Sequence, residues 1–289
     1  MSAILYWLVI KPLSLLPMWL LYGVSDFLFV VLYYLIGYRK KVVRINLQNC
    51  FPEKSKAELL RIEKKFFRHL CDLVIESLKN FSITEKQASK RMKHHGAEIF
   101  EHYAAKNQSV IIAGGHYGNW ELWAVTVAAV VPHRVVGIYK RLSNQFFDKK
   151  MQHSRSRFGL SLVSTKETRD YFSQHEHDLT AIVFAVDQSP SNPKKCLWIT
   201  FMGRETAALF GTEKYAVEYN RPVILGQLKK LKRGHYEVHY ELVCENPAET
   251  DRGYLTQLMH DKLEEKIRET PEYWLWSHKR WKHQRPEAE

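Results

Sequence analysis

Residues 1–38 carry only two charged side chains, Lys11 and Asp26, and are otherwise largely apolar and aromatic. No other feature limits the fold of this chain so strongly. The run over residues 13–38 exceeds the roughly 20 residues a helix needs to cross a bilayer. Pro12 and Pro17 lie near its start, Gly23 weakens its helical propensity, and Asp26 is costly at mid-bilayer unless it is paired. Three arrangements stay open: a spanning helix, a monotopic hairpin or surface helix, and the core helix of a soluble protein. A cleaved signal peptide fits less well, because Lys11 comes late, Asp26 interrupts the apolar run and no small-residue cleavage site is evident. Arg39, Lys40, Lys41 and Arg44 follow at once, and the positive-inside rule then places the rest of the chain on the cytoplasmic side. The expected organisation is a hydrophobic membrane anchor over residues 1–38 and one large domain over residues 39–289.

The second part reads as α/β. At 45% apolar residues, a chain of 289 can bury a sizeable core. Ser55 and Glu58 form a capping-box pattern that opens a helix running to residue 79, and Thr84 with Gln87 repeats the signal. Another helix is expected over residues 97–105. Apolar runs at 110–112, 135–139, 179–186 and 222–225 alternate with helical patterns at 119–131, 145–157, 165–174, 209–219 and 254–268. Such alternation predicts a largely parallel central sheet flanked by helices. Residues 236–243 alternate apolar with polar and are expected to form an edge strand, antiparallel if it closes a hairpin.

Net charge excludes little but points somewhere. The formal +12 resides almost entirely after residue 38, so an acidic partner is expected. Zinc-finger spacing and RNP-like aromatic motifs are absent, so nucleic acid is not expected as a partner; anionic lipid head groups are the economical explanation. Cys50, Cys71, Cys196 and Cys244 lie far apart without metal-ligand spacing, which argues for reduced thiols and against a disulfide scaffold. No cofactor is expected.

Chemistry concentrates at Ala113-Gly114-Gly115-His116-Tyr117-Gly118-Asn119-Trp120-Glu121. A β-branched run ending in paired glycines predicts a strand, a tight turn and then a helix. His116 falls on the turn and Glu121 in the first helical turn, close enough for the carboxylate to fix one imidazole tautomer and leave the other nitrogen to accept a proton. The glycines allow backbone N–H groups to approach a reacting carbonyl.

These residues carry a resemblance. His-x-Gly-Asn-Trp-Glu is similar to the signature of the late acyltransferases of lipid A biosynthesis, within the wider His-x4-Asp/Glu glycerolipid acyltransferases. Arg44-Ile45-Asn46-Leu47, Cys50 to Ser55 and Glu76 resemble that family upstream of the histidine. Tyr139-Lys140-Arg141, Arg155 to Gly159, Asp187-Gln188, Phe201-x-Gly203 and Pro271 to Lys282 follow in the family's order. Phe51-Pro52-Glu53 does not count as the substrate element of glycerol-phosphate enzymes, since it precedes the histidine and lacks a Gly-Thr continuation.

The resemblance implies direct acyl transfer from an acyl carrier protein thioester to a hydroxyl of a lipid A precursor, at the cytoplasmic face of a bacterial inner membrane. Coenzyme A as donor, and a lysophospholipid, aminolipid or glycolipid as acceptor, stay open. So does a basic membrane-binding protein without activity. It implies a catalytic set of His116, Glu121, Arg155, Arg157 and Asp187. Substrate binding falls to Gly115, Gly118, Asn119, Lys140, Arg141, Gln188, His278 and Arg280. From spacing alone, Arg155 and Arg157 read as surface charge, and Asp187, at a strand end, serves either chemistry or a turn cap. The tryptophan cluster at 274–281 is either an interfacial belt or a tail packed on the core.

Overall fold

Strand β2 (Val110–Gly114) is buried throughout, and its residues alternate between two cores. Val110 and Ile112 face one, Ile111 and Ala113 the other. A strand apolar on both faces must be covered by helices on both sides, and the computed structural model, which describes residues 2–285, has that layering. Met1 and residues 286–289, included in the expected segments, lie outside the described residues.

Among the described residues, seven strands form the central sheet. Along the chain they are β1 (Met92–His95), β2, β3 (Arg134–Tyr139), β4 (Ser161–Ser164), β5 (Thr180–Ala185), β8 (Val223–Lys232) and β9 (His235–Cys244). Their spatial order is β1-β9-β8-β2-β5-β3-β4, parallel throughout except for the β8–β9 hairpin. A separate antiparallel hairpin joins β6 (Leu197–Phe201) to β7 (Arg204–Ala208). Helix Trp120–Thr126 contributes Leu122 and Trp123 to one core, while Tyr254–Glu269 sends Leu255 and Met259 to the other.

One expectation needs correction. β9 is antiparallel to β8, as its alternation allowed, but it is not an edge. Beyond it lies β1, whose sequence Met-Lys-His-His gives no apolar alternation to announce a strand. Alternation reports one solvated face, which an interior strand can also have.

Topology creates the crevice. From β2 the chain passes to β3, two positions away on one side, whereas from β5 it returns across β2 to β8. The loops leaving adjacent β2 and β5 therefore diverge, the place where open α/β sheets bind ligands.

Both predicted capping boxes form, at Ser55 and Thr84. The first opens helix Lys56–Lys79, against which the apolar segment lies. Met18–Ile36 makes one helical stretch of 19 residues, and Ser25, Asp26 and Tyr33 on it pair with the rest of the domain. Ser25 Oγ donates to Asp72 at 2.7 Å, Tyr33 to Glu63 at 2.9 Å, and Asp26 pairs with Arg233 at 2.7 Å. The outward face leaves Trp19, Phe27, Val30, Tyr34 and Leu35 exposed. The partner that Asp26 needs is supplied by the domain itself.

Phe29 and Tyr33 stack at 5.4 Å and join the main core, so no break in packing falls at residue 38. Phe29→Ala is expected to cost about 3–5 kcal/mol and to lower the unfolding midpoint of the whole chain, measured by denaturant titration in detergent. An unchanged midpoint would mean that the helix contributes nothing to the domain.

Candidate active site

The turn after β2 is built by close packing. A Cβ on Gly114 would stand 2.6 Å from the Trp123 ring, and one on Gly115 would stand 2.9 Å from Leu263. Gly118 adopts φ +60°, which a residue bearing a side chain rarely does. Asn119 caps the following helix through the Leu122 amide at 2.8 Å.

His116 meets its carboxylate across the sheet. β2 and β5 are parallel with Gly114 opposite Ala185, so His116 and Asp187 each lie two residues beyond paired strand ends. Asp187 Oδ1 accepts the His116 Nδ1–H at 2.7 Å. Its Oδ2 accepts the His116 backbone N–H at 2.9 Å and the Trp274 indole N–H at 2.8 Å. On the other side of the ring, the Gln188 amide donates to His116 Nε2 at 3.1 Å. Trp120 packs edge-on to the imidazole, 5.1 Å between centroids.

Electrostatics follow from this geometry. Burial opposes the imidazolium, but the Asp187 charge and hydrogen bond, with Glu121 behind them, outweigh it and raise the His116 pKa above its ordinary value. For Asp187, burial pushes the other way, yet the His116 charge and the three donors hold its carboxyl well below the usual carboxylate range. The Asp187 side chain is 2% exposed and that of His116 16%. The carboxylate is sealed and the imidazole reaches the surface.

Glu121 does not orient His116. Arg155 takes both of its oxygens in a fork of 2.9 and 2.6 Å, so the expected dyad is replaced by His116 and Asp187, with Glu121 a nearby charge. The fork also turns Arg155 away from a free role at an oxyanion. Arg157 is more distant in function: it donates to the Asn80 carbonyl at 3.0 Å and ties its turn to the end of helix Lys56–Lys79. The amides of His116 and Gly118 cannot serve an oxyanion as arranged, because Asp187 and the Tyr273 carbonyl accept them.

The expected substrate-binding set divides. Gln188 lies on the ring. Next to it, His278 Nε2 accepts the Ser189 backbone N–H at 2.9 Å, and burial depresses its pKa to about 4, so it is neutral. Gly115, Gly118 and Asn119 are buried, and the Asn119 amide is committed to Glu76 and to its own helix. Lys140 and Arg141 are exposed; Arg141 pairs with Glu167 at 2.6 Å. Arg280, 1% exposed, donates to the Ala207 carbonyl at 2.6 Å inside the core. Its burial lowers the pKa to about 10.

Several contributors gave little sequence signal. Trp274 and Trp276 are buried, which rules out an interfacial belt for them and shows the packed tail. That tail is held by Asn46, whose amide donates to the Trp276 and His278 carbonyls at 2.9 and 3.1 Å, and by Arg39, which donates to the Ser277 carbonyl at 2.9 Å. Asn46 was marked only within the Arg44–Leu47 resemblance, and Arg39 only as part of the basic run that follows the apolar segment.

A buried carboxylate bonded to a partly exposed imidazole is an arrangement that can serve as a general base. The described side-chain hydrogen-bond partners of His116 are Asp187 and Gln188, so the site defines the class as an enzyme built around an imidazole–carboxylate pair. Comparison with known proteins gives the particular family. The model of the bacterial lipid A biosynthesis acyltransferases matches residues 1–283; the chain belongs to this family and is an acyltransferase. It is 23% identical over 247 residues to the lipid A biosynthesis palmitoleoyltransferase of Escherichia coli (strain K12), covering 84% of this chain and 79% of that protein. The same figures hold for the lipid A biosynthesis acyltransferase of Shigella flexneri. The lipid A biosynthesis lauroyltransferase of Escherichia coli (strain K12) is 21% identical over 256 residues, covering 86% of this chain and 81% of that protein.

Proposed function

We propose that this enzyme moves an acyl chain from an acyl carrier protein thioester to a hydroxyl of a lipid A precursor, with His116 as general base. The observation that carries the reading is the 2.7 Å bond from His116 Nδ1–H to Asp187, which leaves Nε2 as the proton acceptor once the substrate hydroxyl displaces the Gln188 amide that meets it at 3.1 Å. As Nε2 takes the hydroxyl proton, the oxygen attacks the thioester carbonyl. A C–O bond forms, the tetrahedral oxyanion collapses, the C–S bond breaks, and the imidazolium returns its proton to the departing thiolate. Asp187 stabilises the transient imidazolium without taking its proton. Gln188, the amide donor beside Nε2, is the group we assign to the oxyanion, a contact of a kind worth about 3–4 kcal/mol.

The exposed aromatic and aliphatic face of Met18–Ile36, backed by a basic domain, supports association with the cytoplasmic face of the inner membrane. There the enzyme would meet an insoluble acceptor while its donor arrives from the cytosol.

Purified protein in detergent, given a long-chain acyl carrier protein thioester and a tetra- or penta-acylated lipid A precursor, should add one acyl chain by mass spectrometry. Thioester loss without that product would redirect the assignment to another lipid acceptor. No thioester loss from a folded sample, with carrier protein or coenzyme A as donor, would refute the activity.

A further inference from the structure

The outer strands of the sheet carry a cluster that the acyl-transfer chemistry does not use. β1 and β9 run parallel with His95 opposite His239. Glu237 precedes His239 by two residues, so all three side chains leave the same face. One donor atom from each lies within 4.8 Å of the others. Glu237 Oε1 is 3.0 Å from His239 Nε2, and its Oε2 is 3.5 Å from His95 Nε2. In a tetrahedral zinc site, with metal–nitrogen distances of about 2.0–2.1 Å, neighbouring donors stand about 3.3–3.5 Å apart. Both carboxylate–imidazole spacings are close to that range, each ring meeting a different oxygen of the carboxylate.

The remaining adjustment is between the two rings, which stack with centroids 4.7 Å apart. Their side chains are 49% and 52% exposed, whereas Glu237 is 13% exposed. The carboxylate is held in place and the imidazoles have room to turn their lone pairs toward one point in front of it. Two imidazole nitrogens and one carboxylate oxygen suit zinc and its transition-metal neighbours better than magnesium or calcium, which prefer oxygen throughout. The solvent side leaves a position for water. One group opposes binding: Lys229 Nζ, on β8, stands 3.0 Å from Glu237 Oε1.

We propose that His95, Glu237 and His239 bind one divalent transition ion of the zinc type, clamping edge strand β1 to β9. The full chain in detergent, stripped with EDTA and desalted, would be titrated with zinc against a fluorescent chelator, with circular dichroism confirming the fold. Wild type should take up one equivalent and melt at a higher temperature with zinc than without it. His95→Ala/His239→Ala should lose about tenfold or more in affinity, at least the loss expected from removing an outer-shell partner, and lose the thermal shift. Lys229→Gln, which frees the carboxylate, should bind zinc more tightly than wild type. Absence of zinc binding by wild type, or equal binding by the double variant, overturns the proposal; a Lys229→Gln variant that binds more weakly overturns the role given to Glu237.

Discussion

Replacing His116 by alanine should lower acyl transfer by about 10²–10⁴-fold, the range that general acid–base catalysis contributes, while the protein stays folded. The fold should survive because Asp187 keeps two of its three donors, the residue-116 backbone N–H and the Trp274 indole. His116→Gln is the stricter control, since a glutamine amide can still donate to Asp187 but cannot take a proton at neutral pH. Both variants would be assayed for transfer with wild-type thioester concentrations and checked by circular dichroism. Activity near wild type in either folded variant would remove His116 from the chemistry and, with it, the mechanism proposed above.

Asp187→Asn should be at least as damaging, for a reason visible in the donor pattern. Oδ2 already accepts two N–H groups, so the asparagine oxygen must sit there and its NH₂ must face the imidazole. A donor at that place requires Nδ1 to accept, which moves the ring proton to Nε2 and blocks the base. The expected loss is about 10⁴-fold, as for the equivalent change in a serine protease triad. The pH profile should move as well. The Asp187 charge keeps the His116 pKa raised, and the base form is lost as pH falls through that pKa. Without the charge, burial dominates, the pKa drops, and the acid limb of kcat/KM shifts to lower pH. Glu121→Gln leaves both His116 contacts in place and should move that limb much less. The opposite ranking of the two variants would return the orienting role to Glu121.

The strand, turn and helix around His116 were legible because each is local. A β-branched run ends in two glycines whose neighbours leave no room for a Cβ, and Asn119 caps the helix that begins one residue later. Helix starts at Ser55 and Thr84 were equally plain, since a capping box closes within four residues. β1 was invisible, because four polar-leaning residues become a strand only when β9 is beside them. The same pairing hides the metal-binding cluster: Glu237 and His239 are two residues apart, but His95 comes from 142 positions away to stand opposite.

The sequence by itself determined the α/β class, the turn that carries His116, the apolar character of the first 38 residues, and a family resemblance that spans most of the chain. Which carboxylate meets the imidazole was decided only in three dimensions. Glu121 is five residues from His116 and Asp187 is 71, and proximity along the chain favoured the first. Parallel register between β2 and β5 brings the second within 2.7 Å, while the Arg155 guanidinium, from a different helix, draws Glu121 away. A hydrogen bond depends on distance in space, and in a crossed α/β sheet that distance is set by which strands are neighbours, a property no local run of residues contains.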